Sequence, residues 1–395
     1  MLSKLSWSAA VVALASAREI SFPPVSGFSS DQAVMGIITP DITQAKFGGL
    51  TTYANLPYVH CLAPDGEEPE KFDIGVLGAG FDTVSVPPLD WSSDYIETTL
   101  EPLEAYAVGV TARPGARFGP QGIRRGSQRI AASASWSIYT GRNALADWAK
   151  IVDCGDAPLT FLDNTVALKQ LDQAHKTNSS DFTVPRIVTL GGDHTTTLSA
   201  LRSTKDHWGP VSVIHFDSHI DTWDPKVLGG GISHYAGVNH GTFLHIAHEE
   251  GLIRNTSIHA GIRAPVVRRK GDVRNDVRCG FEMVRARDID RLGVSGVIEA
   301  LKNRVAGTKV YISVDIDVLD PAFAPATGTA EVGGWTTREL LSILDGLDGL
   351  EVIGADVVEV APIYDNPGET TVLAAAEVVL SLLTLMVNKP VQASK

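Results

Sequence analysis

Residues His215-Phe-Asp-Ser-His-Ile-Asp221 place Asp217, His219 and Asp221 two residues apart, directly after the apolar run Val211-Ser-Val-Ile214. Side chains alternate along a strand, so three ligand-type groups leave this strand end on one side. Tyr311-Ile-Ser-Val314 runs into Asp315-Ile-Asp317 in the same way, and Thr189-Leu-Gly-Gly-Asp-His194 ends another apolar run on His194. A single Asp at a strand end forms a turn or caps a helix. Two histidines and four aspartates with shared phasing in three segments are not a product of turn chemistry; they fit a metal centre.

Charge sets how many ions such a centre takes. Four clustered carboxylates, with no Lys or Arg in either aspartate motif, repel one another unless cations lie between them. Two divalent ions balance the four aspartates, and a bridging hydroxide leaves a net single negative charge, suited to a substrate with one positive charge. Oxygen-rich ligation with only two imidazoles favours Mn(II), or Mg(II), over zinc. Such a pair activates water at neutral pH.

The elements that must carry these residues alternate. Strands are expected over Phe72–Gly78, Arg186–Leu190, Val211–Phe216, Ser257–Gly261, Val310–Val314 and Val352–Val358, and helices over Gln121–Ser133, Thr195–Ser203, Val294–Asn303, Thr337–Leu344 and the C-terminal Val372–Val387. That alternation predicts an α/β fold of three α-β-α layers around a mostly parallel sheet. Ligands bind such sheets beyond the carboxyl ends of the strands, where the Asp and His residues fall. Gly78-Ala-Gly80 is not a dinucleotide loop, because Thr83 stands where the third glycine belongs.

Gly191-Gly-Asp-His194, Asp217-Ser-His-Ile-Asp221 and Ser313-Val-Asp-Ile-Asp-Val-Leu-Asp-Pro321 together resemble the ureohydrolase family of arginases and agmatinases. Arg113-Pro-Gly-Ala-Arg117 and the residues to Arg124, Asn239-His-Gly-Thr-Phe243, Pro325-Ala-Thr-Gly-Thr329 and Asp356-Val-Val-Glu-Val-Ala-Pro362 extend the resemblance over about residues 50 to 390. It implies an arginase-like fold and two Mn(2+) per subunit. Asp217 and Asp315 would bridge the ions, with His194 and Asp221 completing one shell and His219 and Asp317 the other. Asp221 would also hold a bridging hydroxide that attacks a guanidinium carbon, releasing urea and an amine. Glu359 matches the carboxylate that binds the guanidinium, and His240 the histidine that shuttles protons near the leaving amine, a task for a group titrating near neutrality. Thr327 falls in the same substrate-binding set. The resemblance also implies a homo-oligomer, a trimer or hexamer.

The loop after Asp221 bears on the substrate. Arginases place Asn two residues on, and Ser four residues before the active-site His; here Trp223 and Ala236 stand there. Neither side chain holds an α-carboxylate as Asn or Ser would. The expectation is therefore agmatine, cleaved to putrescine and urea, with Asp224 or a nearby acid meeting its ammonium. Hydrolysis of guanidinobutyrate or another guanidino acid is the alternative, then arginine. A non-catalytic secreted metal-binding protein is the reading from a different class.

A chain of 395 residues, 44% hydrophobic and 20% charged, can bury one large core. Its net charge of −13 argues against nucleic acid and suits a small cationic substrate. Met1-Leu-Ser-Lys4, the short apolar stretch to Leu14 and Ala15-Ser-Ala17 read as a secretory signal peptide, residues 1–17, followed by an extension, 18–50, and a catalytic domain, 51–390. No membrane span is expected, since the leader is too short and the apolar C-terminal segment holds Glu377. Sequons at Asn178 and Asn255 are compatible with secretion. Cys61, Cys154 and Cys279 allow one disulfide between an undetermined pair. Residues 84–108 are a departure: family members run almost directly from Phe81-Asp-Thr83 into the Arg113 motif. Two readings stand, a surface loop at the mouth of the site or a retained in-frame intron, and a transcript encoding all 25 residues excludes the second.

Overall fold

The computed structural model describes residues 49–62, 70–82, 113–160, 164–177, 184–229 and 237–391. The leader, the extension to residue 48, the 84–108 segment, Asn178 and Ala236 lie outside the described residues.

Among the described residues, eight strands make one sheet: β1 Ile74–Gly78, β2 Ile151–Asp156, β3 Arg186–Leu190, β4 Ser212–Phe216, β5 Ser257–Ile262, β6 Phe281–Arg285, β7 Lys309–Asp315 and β8 Glu351–Val358. Their order is β2-β1-β3-β8-β7-β4-β5-β6, and every pairing is parallel, so the sheet is wholly rather than mostly parallel. The six expected strands are present within a residue or two of their expected bounds. The two that the sequence conceals, β2 and β6, are the edge strands. An edge strand buries less surface and carries polar residues that blur an apolar run, as Phe281-Glu-Met-Val-Arg285 does.

Helices cover both faces. Gly119–Gly126 (α1), Ile289–Arg304 (α6), Thr337–Gly346 (α7) and Thr370–Asn388 (α8) pack over one apolar layer that includes Ile214, Phe216, Ile312, Val314 and Val357. Thr196–Trp208 (α3) and Phe243–Glu249 (α4) cover the other with Val213, Tyr311 and Ile353, while Asn164–Thr177 (α2) packs against α3. Gly271–Arg278 (α5) lies against β6. The helices missed from sequence are α2, α4 and α5; α5 reads Gly-Asp-Val-Arg-Asn-Asp-Val-Arg, too polar and short to show an apolar stripe. The first expected helix is shorter than Gln121–Ser133, passing at Ser127–Arg129 into a 3-10 turn. Helix α8 is long and apolar enough to cross a bilayer, yet Val378, Val379, Leu382, Leu383 and Met386 are buried in the sheet layer, as a core helix requires.

Cys61 is bonded to Cys154 on β2, and Cys279 is free and buried, where burial pushes its thiol up to about 12.

Candidate metal centre

Strands β3, β8, β7 and β4 are neighbours; β7 ends on Asp315, and the segments leaving the four carboxyl ends carry His194, Glu359, Asp317, and Asp217 to Asp221. Short connections are forced there by close packing. A Cβ on Gly192 would fall 1.7 Å from the Phe81 carbonyl oxygen, so only glycine lets the chain turn from β3 into His194 beside the end of β1. The Gly192 carbonyl then accepts the Glu359 N–H at 2.8 Å, and the Glu359 carboxylate accepts the His194 N–H at 2.8 Å.

All six expected ligands come together. His194 Nδ1 lies 3.1, 3.1 and 3.3 Å from carboxylate oxygens of Asp217, Asp221 and Asp315. His219 Nδ1 lies 3.3 Å from the second oxygen of Asp217 and 3.0 Å from Asp317. Asp217 thus faces both groups, one through each oxygen. Asp315 faces His194 through Oδ2, and its Oδ1 accepts the Asp317 N–H at 2.8 Å.

A hydrogen-bond chain fixes what His194 offers. Ser313 donates its one proton to Asp356 Oδ1 at 2.6 Å, so its oxygen accepts from His194 Nε2 at 2.8 Å. With Nε2 committed to Ser313, Nδ1 is the nitrogen that faces the three carboxylates. Burial works against its protonation, but the hydrogen bonds to Asp217, Asp221 and Asp315 outweigh it and raise His194 well above its ordinary value, so a cation entering here takes the place of that proton. His194 Nδ1, His215 Nε2 and Asp217 Oδ2 are buried and, among the described residues, meet only one another and the neighbouring aspartates. Converging lone pairs in a buried space call for cations, and this donor set fits a pair of them.

The same crowding perturbs the metal-free site. Burial, with Asp217 beside it, pushes Asp221 up to about 6, and burial with Asp317 and Asp217 raises Asp315 well above the usual carboxylate range. Burial and Asp193 raise Glu359 well above its ordinary value. For Asp217, burial works upward but is outweighed by His215, His194 and His219, which hold it well below.

Asp221 and Glu359 carry positive φ values of 49° and 61°, uncommon for side-chain-bearing residues. His240 sits in the turn before α4, which is tied to the metal loop by two backbone bonds, Trp223 N–H to the Gly241 carbonyl at 3.1 Å and Leu244 N–H to the Asp221 carbonyl at 3.2 Å. Thr327 pairs with Val360, next to Glu359, and its hydroxyl is buried without a partner. Trp223 is buried with its indole N–H on Asp272, at 3.1 Å. Asp224 accepts the Lys226 N–H at 2.9 Å.

Three participants escaped the sequence reading. His215 Nε2 lies 3.1 Å from Asp217 Oδ2 and joins the first ligand group; it shares the strand parity of Asp217, a signal already present in the motif. Asp356 supports His194 through Ser313 and had the same kind of signal, a carboxylate inside an apolar strand. Glu331 reaches within 3.8 Å of His219 Nε2 from the loop after β7, and nothing local in the sequence marks it.

Residues 102–384 match the arginase family model. This chain belongs to the arginase family and is a ureohydrolase, an enzyme of amidino substrates. An agmatinase-designated protein of Schizosaccharomyces pombe is 46% identical over 367 residues, 88% of this chain and 86% of its own length. The agmatinase of Neisseria meningitidis is 36% identical over 75% of this chain and 89% of its own. Among solved structures, proclavaminate amidino hydrolase from Streptomyces clavuligerus superposes with a TM-score of 0.70 at 30% identity, covering 87% of this chain and 99% of that one.

Proposed function

We propose that the protein hydrolyses agmatine to putrescine and urea with two Mn(II) ions. His194 and Asp221 would hold one cation and His219 and Asp317 the other, with Asp217 and Asp315 shared. When bound, the pair supplies Lewis acidity and a water ionised at neutral pH. Glu359 receives the guanidinium, its buried carboxylate recovering in that ion pair the solvation it has lost. Asp221 orients the attacking water and takes one of its protons as the oxygen joins the guanidinium carbon, whose bond to the alkyl nitrogen then breaks. Both water protons end on the departing amine by way of Asp221 and His240.

One observation favours agmatine over a guanidino acid: Glu331 puts a partly exposed carboxylate beside His219. A distal ammonium is attracted there, and a distal carboxylate repelled. Asp224 serves this less well, since its carboxylate already caps its own turn. Arginine is disfavoured because the Trp223 N–H, which replaces the family's Asn, is spent on Asp272. Urea release from agmatine, guanidinobutyrate and arginine by the Mn-loaded protein tests this, with Glu331→Gln expected to lower kcat/KM for agmatine several-fold, on the scale of an exposed ion pair. Turnover of guanidinobutyrate ahead of agmatine would overturn the assignment.

We further propose a secreted protein with residues 1–17 removed. The Cys61–Cys154 bridge supports an oxidising compartment, and Asn255 lies on an exposed turn open to glycosylation. Mature protein beginning at Arg18 in culture medium is the expected finding; retention inside cells contradicts it. Self-association into a trimer or hexamer is supported by Trp136, Ile138 and Tyr139, exposed by 67%, 84% and 86% on one segment. Light scattering reads it directly, and a monomer would exclude it.

A further inference from the structure

The face of the sheet beneath the metal centre is not apolar. At one register, Thr189, Asp356, Ser313, His215 and His259 stand side by side on β3, β8, β7, β4 and β5, all buried. Asp356 and Ser313 support His194, as above. The other end of this row leads away from the metals. His215 Nδ1 is 2.8 Å from His259 Nδ1, and His259 Nε2 is 2.8 Å from Asp276 Oδ1 on helix α5. The same Asp276 oxygen accepts the Thr222 hydroxyl at 2.7 Å, and Thr222 directly follows Asp221. Asn275, one residue earlier on α5, donates to the Thr222 carbonyl. His259 also stacks on Phe281, ring centroids 4.1 Å apart, which holds the imidazole upright in the row.

We propose that Asp276 is a positioning residue for the metal centre, orienting Asp217 through His259 and His215 and Asp221 through Thr222. Burying two imidazoles and a carboxylate between strands is unfavourable by itself, and an apolar trio of the same volume would pack as well. What the polar version adds is direction. The chain reaches Asp217 with His259 donating from both nitrogens, Nε2–H to Asp276 and Nδ1–H to His215 Nδ1, which leaves His215 Nε2–H to donate to Asp217 Oδ2; both rings are then locked in plane and rotation. His215 is thereby held against Asp217 Oδ2, the carboxylate that faces both ligand groups. Groups behind metal ligands commonly change affinity 10–100-fold when removed. Both arms leave one carboxylate, so its loss misplaces two ligands at once.

This rests on the two-cation reading of the site, and the experiment separates the two. Mn(II) affinity and metal-free denaturation are measured for wild type, for Asp276→Leu with His259→Phe, and for Thr222→Val. Replacing both polar partners by apolar groups leaves no unpaired charge but strands the Thr222 hydroxyl and His215 Nδ1, so the metal-free double variant is expected to stay folded and to unfold somewhat earlier than wild type. Its Mn dissociation constant is expected to rise about 10–100-fold, and that of Thr222→Val to rise less. If the double variant does not accumulate folded, Asp276→Asn takes its place, with a smaller rise expected. Wild-type affinity in the variants, within about twofold, or a loss of metal-free stability without a loss of affinity, would make the row structural only and overturn the proposal. A wild type that takes up no Mn would instead refute the metal centre itself.

Discussion

Two parts of one sheet bury carboxylates in opposite ways. At the β2 edge, Asp153 receives Arg124 through Nε at 2.8 Å and a terminal nitrogen at 2.9 Å, with the Tyr53 N–H at 2.7 Å. Its charge is neutralised by the chain. At the centre, Asp217, Asp221, Asp315 and Asp317 converge, and among the described residues none of their carboxylates is paired with Lys or Arg. Arg263, the nearest candidate, spends its guanidinium on the backbone carbonyls of Gly261, Asp317, Val318, Leu319 and Glu331. The first arrangement is complete and can only hold the fold. The second is incomplete without added cations, which separates a site from a structural ion pair.

Substitutions at the two places should therefore fail differently. Asp217→Ala is expected to lose both ions and reduce urea release to background, beyond the 10–100-fold typical of outer partners, while the metal-free protein stays folded; retained metal with activity in that variant would refute the shared-ligand assignment. Arg124→Met strands the Asp153 charge and should destabilise the protein by about 3–5 kcal/mol with Mn affinity unchanged, as read by denaturation and metal titration. If Arg124→Met instead impaired Mn binding and spared stability, the contrast would collapse. Glu359→Gln keeps the metal but removes the guanidinium's ion pair, raising KM about 10–100-fold on the scale of a charged hydrogen bond. Steady-state kinetics with unaltered KM would sink that role.

The smallest effect is on pH. Without metal the folded Asp221 titrates at about 6 rather than 3.8, so between those values the folded chain binds more protons than the unfolded one. The contribution of Asp221 to metal-free stability then falls as pH rises through that window. Cations need the ionised carboxylates, so apparent Mn affinity should climb as pH rises through about 6 and above it, because Asp315 must ionise as well as Asp221, by up to about tenfold per unit for each proton released. Calorimetry in buffers of different ionisation heat counts those protons, and a pH-independent affinity from 5 to 7 would contradict the picture.

Most of this centre was legible from its place after apolar runs, because His194, Asp217, His219, Asp221, Asp315 and Asp317 all lie within a few residues of one. The expected strand alternation does not aim them, since β4 ends at Phe216 and β7 at Asp315; turns with a positive φ at Asp221 and a 3-10 segment at Asp317 do so instead. Parity did carry His215 and Asp356, which went unread because a polar residue inside a strand resembles an interruption before it resembles a support. Asp276 and Glu331 were out of reach: their meaning comes from contacts across 17 residues to His259 and from a loop that returns to His219, and no local period encodes either. The edge strands β2 and β6 were hidden because Asp153, Asp156, Glu282 and Arg285 break their apolar runs, and the pairing of Cys61 with Cys154 depended on β2 being a strand at all.

The most direct test is anomalous scattering at the manganese edge from crystals of the Mn-loaded protein. Two peaks are expected, one against His194 and Asp221, the other against His219 and Asp317, with Asp217 between them. A single peak, or none among these residues, would contradict the two-cation centre on which the proposed hydrolysis rests.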